Sequence, residues 1–140
     1  AVATTSTAAT ASATSAQEVC QVRVENPHFS SGANGVIYKS RVQCAETRQV
    51  VVGPALYVCP VDPQGPEGTW PGQGCEGKAV DVESRTVQPG TVETFYLPRL
   101  GQPGARGSGL WVGNTAVSTV EEGPGGTESF RTRAVRIDAS

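Results

Sequence analysis

The feature that most constrains this chain is its set of cysteines, which are Cys20, Cys44, Cys59 and Cys75. Each lies at the edge of a segment that reads as a β-strand, rich in Val alternating with polar residues. If the segments that begin at Cys20 and end at Cys44 pair antiparallel, Val22 faces Val42 on the side of the two sulfurs, because strand side chains alternate with period two. The pattern predicts a β-domain held by disulfides.

The cysteine spacing leaves three pairings open, and we predict Cys20–Cys44 and Cys59–Cys75 because each closes a plausible hairpin. Loops of this length are worth about 3 kcal/mol each in the chain-entropy description. An even cysteine count in a chain with 17 Gly and 10 Pro is typical of secreted proteins. A zinc site is the alternative, but the chain has no Cys-x-x-Cys pair and its one histidine is His28. We therefore expect no metal and no cofactor.

The composition also limits the class of partner. A net charge of −2 does not favour the basic surface that a nucleic acid requires, so no nucleic-acid partner is expected. No apolar run is long enough for a membrane span. Arginine outnumbers lysine nine to two, which indicates a GC-rich genome such as that of an actinobacterium. The chain opens at Ala1 without an initiator Met, as expected of a mature secreted, extracellular protein.

The fold class follows from short Val-rich segments separated by Gly and Pro turns. Seven strands are predicted, at 18–25, 36–44, 48–58, 78–87, 91–97, 110–120 and 128–137. Strands at this spacing indicate an all-β, antiparallel Greek-key sandwich of immunoglobulin-like or jelly-roll type, with barrels as an alternative. The alternation predicts a core of Val22, Val24, Val36, Tyr38, Val42, Val50, Val52, Leu56, Val58, Val80, Val82, Val92, Tyr96, Leu110, Val112, Phe130 and Ala134.

Residues 1–17 differ from the rest, since they contain only Ala, Thr, Ser, Val2 and Gln17. Such low-complexity sequence is typical of a disordered tail or an O-glycosylated stalk. Threonine also favours strands, and ladder hydrogen bonds against a sheet edge could offset the backbone entropy of about 1–2 kcal/mol per ordered residue. We therefore predict an extended N-terminal arm at 1–17, acting as a donor strand, attached to a single β-sandwich domain at 18–140.

Candidate contact residues follow from this division. Those in the arm are Val2, Thr4, Thr5, Thr7, Thr10 and Thr14. Trp111 alternates with Leu110 and Val112, so its ring is expected on the other face of its strand. Either another layer covers that face or the ring is exposed, and an exposed indole indicates a subunit contact. The loops 60–74 and 101–109, carrying Trp70 and Arg106, are candidates for binding a ligand or partner. The alternative for Trp70 is structural, with its ring covering the end of the sandwich beside the second disulfide.

The sequence offers little catalytic chemistry. A Ser-His-Asp arrangement would need His28 with Ser30 and Asp62 or Asp81, and a solvated or structural histidine is the simpler interpretation. We therefore expect that the protein is not an enzyme and that it has no catalytic residue. The predicted function is a secreted structural subunit that polymerises with other copies of itself through the arm into a filament, which resembles the architecture of bacterial pilus subunits. The alternative is a secreted binding module with an extracellular protein or glycan partner, for example an inhibitor of an extracellular hydrolase.

Overall fold

The computed structural model describes residues 5–6, 10–14, 19–63 and 74–140. The fold of these described residues is all-β, with two antiparallel sheets. The strands are β1 (Thr5–Ser6), β2 (Thr10–Thr14), β3 (Cys20–Glu25), β4 (His28–Ser30), β5 (Gly35–Cys44), β6 (Arg48–Cys59), β7 (Glu76–Val80), β8 (Glu83–Val87), β9 (Glu93–Leu97), β10 (Gly107–Thr119), β11 (Glu128–Arg131) and β12 (Val135–Ala139). A short 3-10 turn, Pro124–Gly126, precedes β11. The seven predicted strands are present, although 78–87 and 128–137 are each divided in two.

The first sheet is built around β5. Its neighbours β3 and β4 follow one another along one edge, with a one-residue change of register between them. The change falls at Asn26-Pro27, where proline lacks the N–H that a ladder needs. The opposite edge of β5 pairs with β9, while β2 pairs with β3 and β1 with β2. The predicted register is confirmed, because Cys20 lies opposite Cys44 and Val22 opposite Val42.

The second sheet is built around β6 and β10, which pair from Leu110 opposite Cys59 to Thr119 opposite Val50. The other edge of β6 pairs with β7 and then β8. The other edge of β10 pairs with β11 and then β12. Each long central strand is therefore flanked by a neighbour that is interrupted once.

The two sheets face each other across one cluster of buried side chains. The core prediction is confirmed at Val22, Val24, Val36, Tyr38, Val42, Val50, Val52, Leu56, Val58 and Phe130, which all belong to this cluster. Val112 is buried as well, but it lies outside the cluster, on the opposite face of β10. The hydroxyl of Tyr38 lies 2.6 Å from Oγ1 of Thr115, which lies 2.8 Å from Oγ of Ser40. These three buried hydroxyls are therefore hydrogen-bonded to one another across the sandwich, as buried polar groups usually are.

The core prediction is wrong on two strands because the alternation was counted from the wrong residue. In β9, Phe95 and Leu97 are buried, and Tyr96 is half-buried on the other face. In β10, Trp111 is fully buried in the core, and Leu110 is half-buried on the other face. β10 buries Trp111, its largest apolar side chain, and β9 buries the wholly apolar Phe95 while Tyr96, which carries a hydroxyl, stays on the other face.

The core prediction is also wrong at strand ends and interruptions. Val80 is the last residue of β7 and Val82 lies in the break before β8, and both are exposed, as is Val92 before β9. Ala134 lies in the break between β11 and β12 and is half-buried. Alternation places a side chain on a face only where the ladder is continuous, so it fails at these positions.

Both predicted disulfides are confirmed, Cys20–Cys44 and Cys59–Cys75. The first joins β3 to β5 within the core cluster. The second joins the end of β6 to the start of β7 and leaves Cys75 half-buried. Each bond closes the chain between two neighbouring strands, so both reinforce a pairing that the sheets already contain.

Candidate functional site

The structure places the predicted arm contacts in two groups. Val2, Thr4 and Thr7 lie outside the described residues. Thr5 belongs to β1, and Thr10 and Thr14 belong to β2. Within this chain, therefore, the described part of the segment forms strands along the sheet that contains β3.

β2 pairs with β3 along the edge of β3 that is not paired with β5. The five paired positions run from Thr10 opposite Glu25 to Thr14 opposite Gln21, with Ser12 opposite Arg23. The residues of β2 are Thr, Ala and Ser alone. Residues of these types are small, and the interaction that the structure describes for them is the backbone ladder with β3.

Trp111 does not lie on an outer face. Its side chain is fully buried, and its indole N–H donates to the backbone carbonyl of Ile137 at 3.1 Å. The predicted exposed ring is therefore wrong, and the indole fills the core of its own chain with its polar atom satisfied.

Of the two predicted binding loops, the structure describes 101–109 throughout and 60–74 only at its ends. Trp70 lies outside the described residues. Arg106 is exposed immediately before β10, and the last three residues of the predicted loop 101–109 belong to that strand. The first part of the same loop borders a cavity that the sequence did not indicate.

This outer cavity, of about 650 Å³, lies on the face of the first sheet that points away from the core. Its floor is formed by side chains from β4, β5 and β9. The register places His28 opposite Ile37 and Lys39 opposite Tyr96, and all four line the cavity. Tyr38 lies between Ile37 and Lys39 and is buried in the core, so its neighbours project from the opposite face.

The walls of the outer cavity are the loops 30–34 and 98–103. They meet at Gly35 and Gly104, where a Cβ on Gly35 would lie 2.5 Å from the carbonyl carbon of Gly104. The N–H of Gly104 donates to the carbonyl of Ala33 at 2.8 Å, and Val36 exchanges two backbone hydrogen bonds with Ala105. The two loops are therefore joined directly at the base of the cavity.

The two cations that line the outer cavity differ in whether a carboxylate is paired with them. The guanidinium of Arg99 donates to both carboxylate oxygens of Asp81, and these hydrogen bonds lower the pKa of Asp81. Partial burial, followed by repulsion from Lys39, lowers the pKa of His28, which favours the neutral imidazole. The Lys39 ammonium lies 5.8 Å from the centre of the Tyr96 ring, and no described carboxylate forms an ion pair with it.

Sequence reasoning missed this cavity. The alternation that buries Tyr38 could have placed Ile37 and Lys39 on the outer face. The pairing of Lys39 with Tyr96 depends on β9 returning to the first sheet after three strands in the other, and local patterning does not carry that information.

Among the described residues, no three His, Cys, Asp or Glu side chains are grouped so that they could hold a metal ion. No helix in the same part of the chain is long and apolar enough to cross a membrane. Comparison of the chain with protein-family models, with curated proteins and with solved structures finds no match.

Proposed function

We propose that this chain is a secreted, non-catalytic structural subunit that assembles into an extracellular filament by exchanging its N-terminal arm between copies. The observation that carries the proposal is the pairing of β2 with the edge of β3 over five residues. The two disulfides support an oxidising, extracellular location. The boundary between arm and domain, near residue 18, is part of the same proposal.

Exchange is chemically simple because the β2–β3 contact depends mainly on the backbone. Residues 10–14 of any copy can form the same hydrogen bonds along the same β3 edge, which is strand addition between chains. A contact from the arm of one copy to the sheet of the next joins two different surfaces, so it extends into a filament if it does not close into a ring.

Competition between the two pairings depends on concentration. Ordering the five residues of β2 costs about 5–10 kcal/mol in backbone entropy whichever sheet receives them. The arm's own sheet has the advantage of an effective concentration on the order of millimolar for a short linker. Assembly therefore requires crowded copies, as at a surface from which many chains are secreted.

The strand order supports an immunoglobulin-like Greek-key description of the proposed subunit. The chain runs through β3 to β5 in the first sheet and crosses to the second for β6 to β8. It then returns for β9 and crosses again for β10 to β12. Repeated crossing between two antiparallel sheets is typical of this class of sandwich. Its remaining open edges are where strand addition can occur.

A mixture of two cysteine variants tests exchange directly. Ser12→Cys in one chain and Arg23→Cys in another occupy positions that lie opposite each other in the β2–β3 ladder. Neither variant can form this bond alone within one chain, so a disulfide between them reports pairing between copies. We expect covalent dimers on non-reducing gels after mixing at millimolar concentration, with fewer at micromolar concentration.

The matched control mixes Arg23→Cys with Arg136→Cys, because Arg136 is an exposed residue of the second sheet. This pair measures bonds formed by random collision. Dimers from Ser12→Cys no more frequent than those of the control would contradict exchange. Deleting residues 1–17 should also remove any fibres seen by negative-stain microscopy, and fibres that persist would contradict the role of the arm.

A further inference from the structure

We infer that the outer cavity binds a carboxylate-bearing sugar, such as a uronic acid unit of an acidic glycan. None of the described residues that line the cavity belongs to the arm or to the β2–β3 edge. The inference therefore stands independently of the proposed assembly. Its volume of about 650 Å³ falls within the range of about 300–1,000 Å³ that is usual for small-molecule sites.

The charge of the cavity favours an anion. None of its described lining residues is acidic, and two of them are the cations Lys39 and Arg99. Arg99 is already compensated by Asp81. Lys39 is half-buried and has no carboxylate partner among the described residues, so its ammonium is the group available to a ligand carboxylate.

The shape of the cavity favours a ring. The Tyr96 side chain lies beside Lys39 on the floor, and Ile37 extends the apolar surface toward β4. Pro98, Leu100 and Pro103 contribute apolar surface from the facing wall. A pyranose can place its C–H face against such surfaces while its carboxylate reaches the ammonium.

The neutral polar side chains distinguish a sugar from an aromatic acid. His28, Ser30, Asn34 and Gln102 line the same cavity, and each can donate or accept hydrogen bonds. Ser30 already accepts from the N–H of Ala33 at 3.2 Å, and its hydroxyl can still donate. Ligand hydroxyls can form further hydrogen bonds with these groups, whereas an aromatic acid would displace water without replacing its hydrogen bonds. A polyhydroxylated ligand is therefore the better match.

The site is also organised before a ligand arrives. Its floor belongs to three paired strands, and its walls meet at the Gly35–Gly104 contact. Binding then orders few additional residues, which reduces the entropic cost that a small ligand must overcome.

The test is an NMR titration of the intact protein, at micromolar concentration, with D-glucuronate, D-glucose and benzoate as probes. We expect glucuronate to shift the amide signals of Gly32, Asn34, Gly101 and Gln102. Glucose should bind at least about tenfold more weakly, because it lacks the charge-assisted hydrogen bond to Lys39. Benzoate should be weaker than glucuronate, since it cannot satisfy the neutral polar groups.

The chain contains two lysines, Lys39 and Lys78, and this provides a matched control. Lys39→Gln should reduce glucuronate affinity by about tenfold, while Lys78→Gln, outside the cavity, should leave it unchanged. Lys39→Arg should retain binding because it keeps the charge.

Several outcomes would overturn the inference. Equal binding of glucose and glucuronate would remove the role of the carboxylate, and tighter binding of benzoate would replace the sugar with an aromatic acid. Shifts absent from the loops 30–34 and 98–103 would exclude the site. The comparison of ligands uses the unmodified chain, so it decides the matter even if a Lys39 variant does not fold.

Discussion

At the scale of single residues, the contact between Gly113 and Tyr38 shows how closely the two sheets approach. Gly113 lies in β10, and a Cβ there would lie 2.5 Å from Cζ of the Tyr38 ring in the facing sheet. The backbone at Gly113 is fixed on its other side by two hydrogen bonds with Thr132, each of 2.9 Å. A side chain at position 113 could therefore be accommodated only if the Tyr38 ring or the β10 backbone were displaced.

We predict that Gly113→Ala lowers the free energy of unfolding by about 1–3 kcal/mol, as overpacking of a core does. The matched control is Gly53→Ala in the neighbouring strand β6, where the nearest atoms to a new Cβ lie 3.8 Å away. Urea unfolding of both variants measures the effect. A loss at Gly53 as large as that at Gly113 would show that strand glycines matter here for another reason.

Sequence reasoning succeeded for residues whose neighbours obey simple alternation. Val22, Val42 and both cysteines of the first disulfide were placed correctly, because β3 and β5 are close in sequence and pair without interruption. It failed at Trp111, where Leu110 and Val112 suggested the opposite face. The packing between sheets decides which face of β10 is internal, and that packing involves partners far away in sequence.

At the scale of elements, Arg85 of β8 reaches across the sandwich to β9. Its guanidinium donates to the carbonyl of Thr94 at 2.9 Å and lies 4.1 Å from the centre of the Phe95 ring. Among the described strands, β9 pairs only with β5, so its other edge depends on contacts of this kind. Glu83 and Glu93 hold the guanidinium at that edge and raise its pKa.

We predict that Arg85→Met destabilises the protein by about 1–3 kcal/mol, because the hydrogen bond at a strand edge and the contact with Phe95 are lost together. Arg136→Met is the control, since Arg136 is exposed and its ion pair with Asp138 should contribute little. Thermal unfolding of the two variants gives the comparison. Equal losses would mean that the position of Arg85 between the sheets has no special weight.

The presence of the long strands was predictable from turn residues and Val-rich segments. The short strand β4, the division of 78–87 and 128–137 and the site were not. The outer cavity needs three facts together, namely the return of β9 to the first sheet, its register with β5, and the meeting of the loops at Gly104. Each is a relation between distant segments. A single sequence records strand propensity locally and records such relations only indirectly.

At the scale of the whole molecule, the buried Tyr38 hydroxyl connects stability with pH. Burial raises the pKa of Tyr38, and the hydrogen bonds with Thr115 and Ser40 oppose that change without cancelling it. The unfolded chain ionises tyrosine near pH 10. The folded state therefore binds the proton more tightly, so this contribution to stability is complete below about pH 10 and is lost as the pH rises further.

We predict that the unfolding free energy falls above about pH 10 with a slope approaching 1.4 kcal/mol per pH unit from this group. Urea midpoints of the unmodified protein and of Tyr38→Phe, measured between pH 8 and pH 11, isolate the contribution. The difference between the two proteins should change steeply only above pH 10. A constant difference across the range would show that Tyr38 ionises equally in both states.

The meeting of Gly35 and Gly104 restricts how this molecule can diverge. Neither residue can become larger without the other becoming smaller, and both are already the smallest amino acid. No second substitution at the partner position can therefore rescue a change at the first. Variation that alters the ligand preference of the cavity must be confined to the loop residues on either side, while the crossing of the two backbones stays fixed.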